Sequence, residues 1–225
     1  MNPIENGLSR RERERLDRQA AMLNAAKDLF AEKGYSGATL EEIAARAEFG
    51  KGTLYNYFPG GKEQILLAIF DQLYDGLCEL IEDSFQNDSR ESFRDTVESF
   101  VASCFQFFYE RFNLFMILVK EAEQLIFSDD ADRVAYFVRQ QNRVLKTLAA
   151  PLRLAMNRGD LREMPPELFA NMLLVNIKGY QMRHCPRNLS KPNELPQTPT
   201  REQAAFLTDL VLYGASSKHP VEVAK

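Results

Sequence analysis

Lys51, Gly52, Thr53, Tyr55 and Asn56 bring together a cation, a glycine and polar donors within one short stretch. On a helix starting near residue 51 these five share the outer side, while Leu54 and Phe58 anchor the inner side to a core. Lysine can donate to guanine, asparagine can pair bidentately with adenine, and glycine lets a backbone come close. Such a surface suits the major groove of duplex DNA. Any three short helices can show the same spacing, so spacing alone leaves a DNA surface and a plain polar face both open. Catalysis has little support. The two histidines, His184 and His219, nearly exclude a Ser-His-Asp or Cys-His arrangement. His184 adjoins Cys185, but no further ligand cluster accompanies them. There is no glycine-rich phosphate loop. The expectation is a non-enzymatic protein with no metal and no cofactor.

Two crossing helices must position this face. Ile43 and Ala44 point inward, Ala44 being small because the next helix crosses it closely. Ala47 ends the first helix and Phe49 follows the turn, so residues 40–57 fit a helix-turn-helix. Ahead of it a helix is predicted over about 13–33, with Leu16, Ala20, Leu23, Ala26 and Phe30 on one face and Gly34 as its left-handed cap. Thr39 with Glu42 three residues on makes a capping box. Pro59, Gly60 and Gly61 break the chain before a helix over about 62–85. No Gly or Pro occurs between Gly76 and Pro151, which suits long helices at about 90–111, 114–124 and 130–158. Pro151 is expected to kink or divide the last of these, and Gly159 to close it. Pro165 and Pro166 open a helix to about 184. The segment 186–199 holds four prolines and reads as a long mobile loop. Thr200 and Gln203 form a second capping box, opening a helix to about 216.

No strand alternation or hairpin turn is visible, so the fold is read as all-α. It comprises an N-terminal three-helix bundle with the helix-turn-helix and a larger C-terminal helical domain. The expected organisation is a flexible arm at 1–12, a helix-turn-helix domain at 13–62, a larger helical domain at 63–218, to which the family resemblance given below adds effector binding and dimerisation, and a disordered tail at 219–225. With 225 residues, 45% hydrophobic and 27% charged, the chain is neither collagen-like nor disordered. It has no apolar run long enough to span a membrane, and its polar, Arg-rich start does not read as a secretory signal. Cys78, Cys104 and Cys185 are far apart and read as reduced thiols of a cytoplasmic protein.

The stretches Ala25-Ala26-Lys27-Asp28-Leu29-Phe30-Ala31-Glu32-Lys33-Gly34-Tyr35, Ala38-Thr39-Leu40-Glu41-Glu42-Ile43-Ala44 and Lys51-Gly52-Thr53-Leu54-Tyr55-Asn56-Tyr57-Phe58-Pro59, followed by Lys62-Glu63, resemble the DNA-binding domain of the tetracycline-repressor (TetR) family. The resemblance covers about residues 17–70. Further on, Arg158-Gly159-Asp160-Leu161-Arg162 resembles that family's link into its dimerisation helices. The resemblance implies that Thr39 contacts a phosphate, that Lys51, Gly52 and Asn56 approach base edges, that Thr53, Tyr55 and Tyr57 reach phosphates, and that Lys62 holds the DNA backbone from the flank. Tyr55 and Tyr57 also suit a core edge, and Asn56 an idle exposed position. Three departures stand out. Glu48 occupies a turn position where the family has glycine, at a cost of roughly 1–2 kcal/mol if the backbone there is left-handed. Gly50 replaces the usual Ser or Thr cap of the recognition helix. The link Pro59-Gly60-Gly61-Lys62 is one residue longer than usual, which bears on the reach of Lys62.

Eleven of the 24 aromatic residues lie between Phe93 and Phe137. They suit a core, and also the wall of a mostly apolar ligand pocket between helices. The family holds a small effector in this domain, and Phe100, Cys104, Phe108, Phe112, Phe115 and Phe137 are the candidate wall for an apolar or aromatic effector. Glu121 and Glu123 read as solvated or paired charges. Two stripes are candidates for a homodimer interface, Leu168, Met172, Val175 and Gly179 on one helix and Ala204, Leu207, Val211 and Gly214 on the next. An internal hairpin in a monomer is the alternative.

The net charge of −4 and pI of about 5.4 look unfavourable for DNA. Residues 1–62 hold 10 basic and 9 acidic side chains, and residues 63–225 hold 18 and 23, so the acidity belongs to the larger domain. Arg10, Arg11, Arg13, Arg15 and Arg18 crowd the start of the chain, among Glu12, Glu14 and Asp17. They are either a solvated helix start or a source of phosphate neutralisation. The sequence reading is therefore a homodimeric repressor released from a palindromic operator in double-stranded DNA by a small hydrophobic effector, without membrane attachment. A regulator of the same fold that activates or senses no small molecule is one alternative. A helical binding protein for a hydrophobic ligand, with little or no DNA binding, is the other.

Overall fold

The computed structural model describes residues 9–86, 92–125, 129–183 and 200–214, and every regular element among them is a helix. The elements are α1 (Arg10–Gly37), α2 (Leu40–Arg46), α3 (Lys51–Tyr57), α4 (Gly61–Gln86), α5 (Phe93–Glu110), α6 (Phe112–Leu125), α7 (Ala131–Arg158), α8 (Pro166–Arg183) and α9 (Arg201–Tyr213). The chain divides into two compact units, one of Met1–Leu73 with Asn113–Ser128, the other of Tyr74–Phe112 with Asp129–Lys225. The division falls inside α4, eleven residues beyond the boundary expected at residue 62, and it groups most of α6 with the first unit.

Local chemistry explains most helix ends. Ser9 caps α1, accepting from the Glu12 backbone N–H, while the Glu12 carboxylate accepts from Ser9 N at 2.7 Å. Helix formation therefore starts at Arg10, and Arg10, Arg11 and Glu12, expected in a flexible arm, are helical. The Ser9–Glu12 pair is the capping box that would have placed this start. Gly34 interrupts α1 with φ 72° and ψ 166°, and a last turn runs to Gly37. Its positive φ was expected; its ψ is extended rather than that of a left-handed cap. Thr39–Glu42 and Thr200–Gln203 both form the expected capping boxes, and Gly159 closes α7 at φ 82°, ψ 8°. Pro151 does not divide α7, which runs unbroken from Ala131 to Arg158. The expected loop at 186–199 and the tail after Lys218 lie outside the described residues, as do Cys185 and both histidines.

In the first unit Met22, Leu29, Phe30, Ile43, Leu54, Phe58, Ile65 and Phe70 are fully or almost fully buried. Glu121 of α6 is buried, which removes the solvated half of the expectation that it is a solvated or paired charge. In the second unit α9 packs on α5, and α8 packs on α7 and α5. Buried Glu98 of α5 is central to the first of these contacts. It accepts from Arg94 at 2.8 Å and from Arg201 of α9 at 3.0 Å, while Arg94 also donates to Asp209 of α9 at 2.8 Å. These two arginines hold the Glu98 carboxyl below its ordinary range, Arg201 first.

Candidate nucleic-acid interface

The recognition-type face is built on α3. Leu54 and Phe58 are 0% and 1% exposed and seat the helix on the core of the first unit. Lys51, Gly52, Tyr55 and Asn56 consequently face solvent, with Thr53 and Tyr57 half-buried at the edges. The turn before α3 has Glu48 at φ 61°, a left-handed position that a non-glycine residue rarely takes. Gly50 is the N-cap and supplies no side-chain bond to the α3 start. A Cβ built on Gly52 would meet nothing within 4 Å, so its smallness serves no contact within the domain. That openness suits close approach by an outside surface.

α2 supports α3 from beneath and is itself clamped to α1. Arg46 of α2 makes two bonds to the Glu32 carboxylate at 2.7 and 2.8 Å, and Lys33 bonds Glu42 at 2.5 Å. Lys33, the Thr39 backbone N–H and the Thr39 hydroxyl together pull the Glu42 carboxyl down to about 2. Thr39 is therefore exposed at the start of α2, with its hydroxyl engaged by the cap.

Two of the expected DNA-contacting lysines have partners inside the domain. Lys51 pairs with Glu41 of α2, which holds the lysine above its ordinary range, and its ammonium lies 5.9 Å from the Tyr55 ring centroid. Both Lys51 and Glu41 are half exposed or more, so the pair can open toward a ligand at small cost. Lys62 differs. Its ammonium donates to the carbonyls of Tyr35 at 2.9 Å, Ala38 at 3.0 Å and Ser36 at 3.5 Å, and sits 4.6 Å from the Tyr35 ring centroid. All three ammonium hydrogens are spent on the α1–α2 connection. In this structure Lys62 therefore ties the start of α4 to the α1–α2 connection, where the expectation was a contact with a DNA phosphate.

In the second unit Phe100, Cys104 and Phe108 follow one stripe of α5 and are buried. Burial pushes the Cys104 thiol up. Phe137 is buried on α7 and Phe112 half-buried at the start of α6, whereas Phe115 is buried within the first unit. On α8 Leu168, Met172 and Val175 are 58%, 51% and 54% exposed, and Gly179 is exposed beside them. On α9 the expected stripe splits. Ala204 and Leu207 are buried in the chain's own fold, Val211 is half-buried and Gly214 exposed. The apolar residues α9 turns outward are Phe206, Leu210 and Tyr213, which the sequence reading did not select. A groove of about 570 Å³ runs between α8 and α9, lined by Val175, Gly179, Phe206 and Leu207 among others.

Residues 22–69, which contain α2, α3 and the start of α4, match the family described as bacterial regulatory proteins, tetR family. This segment of the chain is similar to the DNA-binding part of that family. Curated HTH-type regulators align with part of the chain. An HTH-type transcriptional repressor of Mycobacterium tuberculosis is 40% identical over 62 residues, 28% of this chain and 32% of the relative. The HTH-type transcriptional activator FasR of Mycolicibacterium smegmatis is 33% identical over 86 residues, 37% of this chain and 39% of the relative. The chain thus spans well under half the length of the curated relatives it matches. Solved structures extend the likeness in fold over most of the chain. FadR of Bacillus subtilis, in complex with stearoyl-CoA, has a TM-score of 0.70 at 18% identity, covering 88% of this chain and 99% of that one. SmeT, repressor of the Stenotrophomonas maltophilia multidrug efflux pump SmeDEF, has a TM-score of 0.62 at 24% identity, covering 86% and 88%. At these identities the likeness concerns the fold. Among the described residues no helix is long and apolar enough to cross a membrane, and no cluster of His, Cys, Asp or Glu could hold a metal ion.

Proposed function

We propose that this protein is a ligand-responsive, DNA-binding transcriptional regulator. The observation that carries the reading is α3, anchored by Leu54 and Phe58 and presenting Lys51, Gly52, Tyr55 and Asn56 outward from a tetR-type domain. Lys51, Gly52 and Asn56 read base edges, while Thr39, Thr53, Tyr55 and Tyr57 contact phosphates. The protein acts in the cytoplasm as a homodimer whose twofold axis matches a palindromic operator. The exposed α8 stripe, joined by Phe206, Leu210 and Tyr213 of α9, supplies the dimer surface. The regulator is a repressor that a small apolar or aromatic effector releases. The aromatic second unit supports this, with Phe100, Cys104, Phe108, Phe112 and Phe137 near or in its core, and so does the fold likeness to FadR, solved with stearoyl-CoA. The effector works by binding the released conformation more tightly than the operator-bound one.

A mobility-shift titration against DNA flanking the protein's own gene, across a range of salt, tests the reading. Sequence-selective, salt-sensitive binding is expected. Tyr55→Phe should weaken it evenly across sequences, and Asn56→Ala should relax its sequence preference. No binding at low salt would sink the regulator reading and leave the helical ligand-binding protein. Because relatives include both a repressor and an activator, expression from the cognate promoter with and without the protein decides the sign.

A further inference from the structure

One stripe of α1 changes character along its length. Residues 11, 15, 18, 22, 25 and 29 follow at steps of four and three, which confines them to about 80° of the helix circumference. At Met22, Ala25 and Leu29 the stripe is apolar and buried. At Arg11, Arg15 and Arg18 it is cationic and exposed. The arginines thus lie on the side of α1 that faces its own unit, but on turns that extend beyond that unit's core. The acidic neighbours are engaged or turned away. Glu14 pairs with Arg10 at 2.8 Å, Glu12 closes the Ser9 cap, and Asp17 lies about 100° or more from each of the three arginines. Among the described residues none pairs with Arg11, Arg15 or Arg18.

We propose that this stripe is a second DNA contact, a clamp on the phosphate backbone that adds affinity without reading sequence. The proposal rests on the DNA-binding reading above. Guanidinium groups match phosphate oxygens bidentately, and a face that would otherwise continue the core is suited to a partner running alongside the same unit. From Arg11 to Arg18 the helix rises about 10 Å, comparable to about three phosphates along one strand. A lipid surface fits less well. The exposed turns carry Leu16 as their one large apolar side chain, and it lies off the arginine stripe. Near-neutral charge over residues 1–62 makes three unpaired guanidiniums a large share of what can hold a polyanion.

The test compares the full-length wild type with the triple variant Arg11→Gln, Arg15→Gln, Arg18→Gln. Fluorescence anisotropy is read on a random-sequence DNA duplex and on a duplex selected from a random pool by the wild type, with anionic vesicles and duplex RNA as further arms. The variant should keep wild-type helix content, since the substituted positions are exposed. Its log–log salt dependence should be shallower by about 0.9 per contact, so up to about 2.7 for three. From about 50 to 200 mM salt the wild type should then lose up to about 40-fold more affinity than the variant does. The change should be equal on both DNA duplexes, leaving the specificity ratio intact. An unchanged salt slope overturns the clamp while leaving DNA binding by α3 in place. Arginine-dependent binding to vesicles or to RNA in preference to DNA also overturns it. A wild type that binds neither DNA duplex removes the DNA-binding reading and the clamp together.

Discussion

Glu48 and Lys62 show how single positions diverge from the rest of a well-matched motif. Glu48 holds φ 61° in the turn between α2 and α3, where a Cβ crowds the backbone. Glycine would relieve roughly 1–2 kcal/mol of this strain and return about 0.5–1 kcal/mol through a freer unfolded chain. Glu48→Gly should therefore raise stability by about 0.5–1 kcal/mol, seen as a thermal midpoint higher by a few degrees. An unchanged or lower midpoint would show that the left-handed turn is unstrained. Lys62 is an internal tie, with three carbonyls on its ammonium. Hydrogen bonds to a charged, partly buried group contribute about 1.5–3 kcal/mol, so Lys62→Met should lower unfolding stability by about 2 kcal/mol in urea titration. A lysine that served only a DNA phosphate would leave stability unchanged and alter the salt slope instead. The types of both residues were plain in the sequence. The φ at residue 48 and the partners at residue 62 depend on how α2 and α4 close on α1.

At the scale of elements, α2 is seven residues long and too short to stand alone, so its cap and its clamps to α1 carry it. Glu42 belongs to both, accepting from Thr39 and from Lys33. Its folded pKa of about 2 lies below the ordinary 4.5. A depressed carboxyl stabilises the fold fully above its unfolded pKa and loses that contribution as pH falls from about 4.5 through about 2. Acid unfolding of the wild type should show this dependence, and Glu42→Gln should flatten it over that window. Equal pH profiles for the two proteins would mean that the box is not formed in solution. Capping boxes were legible at Thr39 and Thr200 because they are local patterns three residues long. The rotation of α9 was not. Its sequence is apolar on more than one side, and the side that turns inward is the one that packs on α5, with the Arg94–Asp209 and Arg201–Glu98 bonds at its edges. That choice buries Ala204 and Leu207 and exposes Phe206, Leu210 and Tyr213.

For the whole molecule the decisive surface is the one that α8 and α9 leave uncovered. Leu168, Met172 and Val175 together expose an apolar stripe of the kind that monomers rarely keep. Val175 lies in the groove between α8 and α9, so Val175→Glu should place a charge at the centre of the proposed dimer contact. Sedimentation velocity should then show a folded monomer where the wild type sediments as a dimer, with weaker binding to a palindromic duplex. A wild type that is already monomeric at micromolar concentration would refute the dimer, and a variant that remains dimeric would place its contact elsewhere.

Periodicity, breakers and caps in the sequence by themselves determined the all-α class, most helix limits and the inward anchors Leu54 and Phe58. These follow from interactions between residues a few positions apart, which any chain with that order of side chains must make. The tertiary structure alone decided which face α9 buries, that Pro151 leaves α7 whole, that Lys62 turns to Tyr35 and Ala38, and that an arginine stripe continues the buried side of α1. The α9 face and the Lys62 bonds depend on partners from 24 to 115 positions away and the arginine stripe on where a core ends, and neither is encoded in local spacing.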